Sequence, residues 1–160
     1  MEGSLMGKYF KMSRRFDKRT PHDFGLTERS ENGDAIDPED GSQWHSCTLY
    51  DYGWGSENGF YRIPLPEFSA LLGIVLDSND QDDVYGAASV ILELFPNDLL
   101  ESLEHIYSCT GGNERKRKLA TVFQLHLGIN RSHTQGKHYS EIISDAHRWS
   151  VIGEITKQLE

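Results

Sequence analysis

The sequence predicts a mainly α fold: an irregular helical bundle with a small β hairpin near residues 44–63. Three observations point there. Apolar residues recur at helical spacing through successive stretches beyond residue 65. Pro66, Pro96, Gly111-Gly112 and Gly128 punctuate those stretches where helices would begin and end. Residues 44–63 read differently, as two aromatic-rich runs around a glycine loop.

At 160 residues the chain is long enough for one domain with a proper core. Residues 1–43 are expected to form a flexible or partly ordered arm, and residues 44–160 a single globular, mainly helical domain. In the arm, Lys8, Lys11, Arg14, Arg15, Lys18 and Arg19 interleave with Tyr9, Phe10, Met12 and Phe16. Such a cluster can grip phosphate or RNA. In a chain of net charge −9 the simpler expectation is a segment that docks its aromatics and leaves its charges solvated. Residues 27–43 carry Gly33, Pro38 and Gly41 among polar side chains, which is loop composition.

Trp44–Tyr52 and Phe60–Ile63 are the expected hairpin strands, joined by Gly53-Trp54-Gly55-Ser56-Glu57-Asn58-Gly59. That loop lacks the Lys-Ser/Thr of a phosphate loop and leads into a strand rather than a helix, so nucleotide binding is not expected. Trp54, at its tip, is a candidate anchor for a partner.

The helices follow in order. Pro66 opens the first, over about 66–77, with Phe68, Leu71, Leu72, Val75 and Leu76 near one face. Ser78-Asn79-Asp80 makes a turn and caps the second, about 81–95, which carries Val84, Ala87, Ala88, Ile91 and Leu92. Pro96 begins the third, with Leu99, Leu100, Leu103 and Ile106 as its stripe and Thr110-Gly111-Gly112 as its stop. Asn113 is the expected cap of the fourth, which runs to about Leu127 and starts on the basic run Arg115-Lys116-Arg117-Lys118. The last, about 139–159, carries Ile142, Ile143, Ala146, Trp149, Ile152 and Ile155.

Charge narrows the function classes. From Glu67 to Tyr107 there is no Lys or Arg, whereas Glu67, Asp77, Asp80, Asp82, Asp83, Glu93, Asp98, Glu101 and Glu104 are acidic. The acidic balance disfavours nonspecific binding to nucleic acid or to an anionic membrane and favours a basic protein partner. No apolar run is long enough to span a bilayer, and the first residues lack the apolar core of a signal peptide. The expected location is the cytoplasm. Cys47 and Cys109 are too few for a disulfide framework and are expected as free thiols.

The run Asp82-Asp83-Val84-Tyr85-Gly86-Ala87-Ala88-Ser89-Val90-Ile91-Leu92, a turn at Pro96 and a Leu-rich helix resembles a HEAT-type helical repeat, with Tyr85 where that family usually has Arg. Glu114 to Leu125 is at best a degraded second copy. In size, charge and architecture the chain is also similar to small acidic bacterial immunity proteins, a likeness of character rather than of a motif. The likeness implies noncovalent occlusion of a basic toxin or nuclease surface. The residues expected to carry it are Glu93, Asp98, Glu101 and Glu104, with Trp54 as anchor. Asp80, Asp82 and Asp83 sit in a turn and helix start, where capping accounts for carboxylates equally well. The alternatives are a generic helical-repeat scaffold or adaptor, and a metal-binding protein or enzyme whose site the sequence does not reveal.

No catalytic motif appears, and no enzyme activity or cofactor is expected. The best metal candidate joins His105 and Cys109, four apart on one helix, to His45 and Cys47 on one strand face. Neither half has a standard zinc spacing, so no metal is assigned.

Overall fold

The computed structural model describes residues 9–12, 21–28, 34–51 and 56–159. Among them the fold is mainly helical with a small antiparallel sheet. The strands are β1 (Phe10–Met12), β2 (Thr27–Glu28), β3 (Asp34–Ile36), β4 (Gln43–Asp51) and β5 (Ser56–Ile63). The helices are α1 (Phe68–Asp77), α2 (Gln81–Leu94), α3 (Pro96–Ser108), α4 (Asn113–Val122) and α5 (Tyr139–Lys157). The chain divides into two compact units, Met1–Ser89 and Val90–Glu160, and the division falls within α2. No helix of the described residues is long and apolar enough to cross a membrane.

In the first unit the expected hairpin is present as β4 and β5, with register shifting between Leu49 and Asp51. The sheet is wider than that hairpin. Its order is β1-β5-β4-β3-β2, with every neighbouring pair antiparallel. The described parts of residues 1–43, read from sequence as an arm, thus supply β1, β2 and β3. Their strands are two or three residues long, too short for alternation to stand out within a polar composition. Of the arm's basic cluster only Lys11 lies among the described residues; its Nζ stands 4.9 Å from the centroid of the Trp44 ring.

Register assigns the two faces. Residues directly opposite one another in an antiparallel pair point the same way. Ala35 opposes Trp44, and Ser46 opposes Phe60, so Ala35, Trp44 and Phe60 share a face. They are buried together with Leu26, and Phe24 packs edge-on to Phe60 with ring centroids 5.4 Å apart. The turn before β4 is fixed by side chains. Ser42 Oγ accepts from Trp44 Nε1 at 2.8 Å and donates to Asp40 Oδ1, which also accepts the Ser42 N–H. These two hydrogen bonds hold the Asp40 carboxyl below its ordinary range.

The other face carries Phe10, Tyr61, His45 and Asp34 in one cross-strand row. Here β1 is locked to α2. Asp83 is buried, and its Oδ1 accepts the backbone N–H groups of Tyr9 and Phe10, both at 2.9 Å. One turn along the helix, Gly86 faces the Phe10 ring. A methyl group there would stand 2.3 Å from Phe10 Cγ. Asp80, the residue before α2, accepts the Asp83 N–H at 3.1 Å and so caps the helix. Asp80 and Asp83 are therefore structural carboxylates.

In the second unit Val90, Ile91, Leu99, Leu100, Leu103, Leu119, Val122, Phe123, Leu125, Trp149 and Ile152 are buried. The fourth helix is shorter than its apolar pattern suggests: it ends at Val122 rather than near Leu127. Gln124 takes a left-handed conformation, φ 51°, and a 3-10 turn, Leu125–Leu127, follows. That break buries Leu125 and turns the chain so that Gly128, φ 62°, lies against α5. The cap also differs from the expectation, since Gly112 rather than Asn113 occupies it.

Two substitutions test the β1 lock. Gly86→Ala is expected to destabilise the protein by about 1–3 kcal/mol through overpacking against Phe10. Asp83→Ala leaves the buried Phe10 N–H and the part-buried Tyr9 N–H without their acceptor and is expected to cost about 2–4 kcal/mol. Urea unfolding followed by circular dichroism measures both, and a midpoint unchanged from the parent in either would contradict the packing described.

Candidate interaction surface

α3 owes its start to Pro96 at the first helical position, where the missing N–H costs nothing, and to Asp98 in the first turn, which suits the helix dipole. It ends at Ser108. The Cys109 N–H bonds Ile106 O, and Lys116 Nζ, itself buried, donates to Cys109 O at 2.5 Å. A cation on the last carbonyls of a helix is favourable. Tyr107 OH donates to Lys116 O at 2.8 Å, and burial pushes the Tyr107 hydroxyl well above its usual pKa. One residue of the basic run at the start of α4 is thus an internal fastener.

At 100° per residue, Pro96, Leu99, Leu100 and Leu103 occupy one side of α3 and are buried. Asn97, Asp98, Glu101, Glu104, His105 and Ser108 occupy the opposite side, and all are exposed. Three of the expected binding residues, Asp98, Glu101 and Glu104, therefore share one solvent-facing stripe. Among the described residues, Glu93 makes no hydrogen bond or ion pair with the stripe. Glu93 is exposed on α2, where its backbone carbonyl bonds His133 Nε2 at 2.7 Å. Trp54 lies outside the described residues.

The stripe has an internal counter-ion that sequence reading missed. Arg148 on α5 forms a forked ion pair with Glu104, through Nε to Oε2 at 3.0 Å and through Nη2 to Oε1. The Arg148 hydrogen bond, opposed by partial desolvation, holds the Glu104 carboxyl below its ordinary value. Arg148 also lies within the electrostatic reach of Asp145 and Glu101. Among the described residues Asp98 and Glu101 make no ion pair within 4.0 Å, so their charge faces solvent. The helical period would put Arg148 beside the Trp149–Ile152 stripe, but no pattern in the sequence names its partner on α3.

Of the metal candidate, the Cys47 side chain lies outside what the structure describes. Among the described residues no group of three or more His, Cys, Asp or Glu side chains is placed to hold an ion. His45 Nδ1 instead meets Asp34 Oδ1 at 2.8 Å, its cross-strand neighbour, and Cys109 is an exposed helix cap. No family model, curated protein or solved structure matches the chain.

Because the folded Glu104 pKa lies below the ordinary 4.5, the ion pair's contribution is present above that pH and fades as pH falls below it. Glu104 is 41 % exposed, so solvent screening limits the contribution to under about 1 kcal/mol. Glu104→Gln is expected to lower stability by that amount at pH 7 and by less at an acidic pH well below 4.5. Denaturant midpoints at the two pH values give the check; an equal loss at both would show that the pair's charge is irrelevant.

Proposed function

We propose that the protein is a noncovalent binding module that engages a basic protein partner through the exposed acidic stripe of α3. The observation that carries this reading is the placement of Asp98 and Glu101, exposed on the side of α3 opposite its buried residues, within the stretch from Glu67 to Tyr107 that is free of Lys and Arg. Exposed carboxylates on one rigid helix steer a cationic surface and fix its register. Occlusion of a basic toxin in the cytoplasm is the specific form of this function, as the likeness to immunity proteins implies. Binding alone achieves such occlusion, with no catalytic step and no cofactor.

The test uses the parent protein and the D98K/E101K variant as baits against an extract of the source cells. A partner with a basic surface should be retained by the parent at low ionic strength and lost by the variant. Reversal of the two charges should lower its association rate by about tenfold at low salt, with the difference shrinking as salt screens it. Retention of the same proteins by both baits, independent of salt, would reject the reading.

A further inference from the structure

The outward side of α5 is unusual for an exposed helix. Around its circumference Trp149, Ile152, Gly153 and Thr156 are buried. Arg148 lies at one edge of that buried stripe and reaches Glu104 on α3. Gly153 lies at the other edge, where its Cα side meets Gly128; Gly128 also faces the backbone of Ser150. Between these edges the first turns of the helix, from Tyr139 to Val151, present Tyr139, Ser140, Ile143, Ser144, His147, Ser150 and Val151 to solvent, and the last turn presents the ion pair of Glu154 and Lys157. None of the seven from Tyr139 to Val151 is an acid, a lysine or an arginine. Tyr139 is 78 % exposed, Ile143 50 % and Val151 42 %. Leu127 and Ile129, which flank Gly128, are 50 % and 52 % exposed and extend the apolar surface past the Gly153 edge.

We infer that this face of α5 is the apolar centre of the same interface, and that its occupant is a basic amphipathic helix of the partner protein. The inference rests on the proposed acidic stripe and adds the anchor contacts that the stripe lacks. An uncharged patch rimmed on one side by carboxylates matches the usual anatomy of a binding surface, an apolar centre with a polar rim. From Tyr139 to Val151 the face is about 18 Å long, the span of three helical turns. Charge selects the occupant. A second copy of a chain with net charge −9 would bring Asp98 and Glu101 against their own kind. An anionic membrane would be repelled by the same two groups. A helix with aliphatic residues on one side and lysines at its margin satisfies both halves.

The experiment measures fluorescence anisotropy of three labelled synthetic peptides of about eighteen residues, or five helical turns, with the full-length protein. One has a Leu stripe flanked by Lys, one the same Leu stripe flanked by Glu, and one Ser in place of Leu with Lys kept. The Leu/Lys peptide is expected to bind at least about tenfold more tightly than either other. Y139S/I143S should weaken it by about tenfold while preserving its salt dependence; both side chains are half exposed or more, and circular dichroism verifies the fold. D98K/E101K should weaken it at low salt and flatten that dependence. A Leu/Lys peptide that binds no better than the Ser/Lys peptide, or that ignores Y139S/I143S, overturns the inference. If D98K/E101K alone has an effect, the acidic stripe stands and the apolar centre falls. If Y139S/I143S alone has an effect, the apolar centre stands and the acidic reading falls. Sedimentation that reveals a dimer converted to monomer by Y139S/I143S would assign the face to self-association and overturn the proposed occupant.

Discussion

The second unit depends on one close backbone approach. A methyl group on Gly153 would stand 2.8 Å from Gly128 Cα and 3.1 Å from Leu125 O, so the chain after α4 meets α5 with no side chain between them. Gly128 also needs its φ of 62°, a conformation that glycine adopts without strain. The contact is reinforced where the following loop crosses the helix. Trp149 Nε1 donates to Ser132 Oγ at 2.9 Å, and Asn130 Oδ1 accepts the Ser132 N–H at 2.9 Å. The indole is thus buried with its polar atom satisfied. Because loop and helix are joined along this line, the rotation of α5 is set, and with it the choice of residues left facing solvent.

That rotation explains the uneven distribution of charge. Arg148 is carried to α3 and neutralises Glu104, and Lys137 is drawn to Asp145 at 2.5 Å. Cations near this part of α5 are consumed by specific partners, while Asp98 and Glu101 keep their charge outward. An uncharged patch from Tyr139 to Val151 and a stripe with two carboxylates that form no ion pair among the described residues therefore arise from one packing arrangement. Had α5 been turned by one residue, about 100°, Arg148 would have lost Glu104.

Helix positions were legible because proline, glycine and apolar period agree. Pro96 starts α3, Gly111 and Gly112 follow its end, and Leu99, Leu100 and Leu103 are its buried side. The failures have physical causes. The apolar run from Leu119 to Leu127 does not distinguish a continuing helix from a helix broken by a left-handed Gln124, since the same residues are buried in part either way. Ile143 is one of the apolar residues that mark the last helix, yet it is half exposed because its angular position lies outside the Trp149–Ile152 side. Nothing in the spacing around Gly86 shows that this glycine receives the ring of Phe10 from a strand. The α3 members of the candidate site could be located from helical spacing alone. Arg148 could not, because an ion pair between residues 44 apart leaves no trace in spacing.

The fastening of β1 by Asp83 bears on the order in which the first unit assembles. Strands β2 to β5 form a meander in which each pairs with its neighbour in sequence, so their contacts close short loops. β1 must wait for β5 to present its edge and for α2, whose Asp83 lies 73 residues beyond Phe10, to present its carboxylate. Such distant closures come late because chain entropy is surrendered before any contact compensates. By the same reasoning β1 is the strand that opens first under mild denaturant, and its amides would exchange with solvent ahead of those shared by β4 and β5.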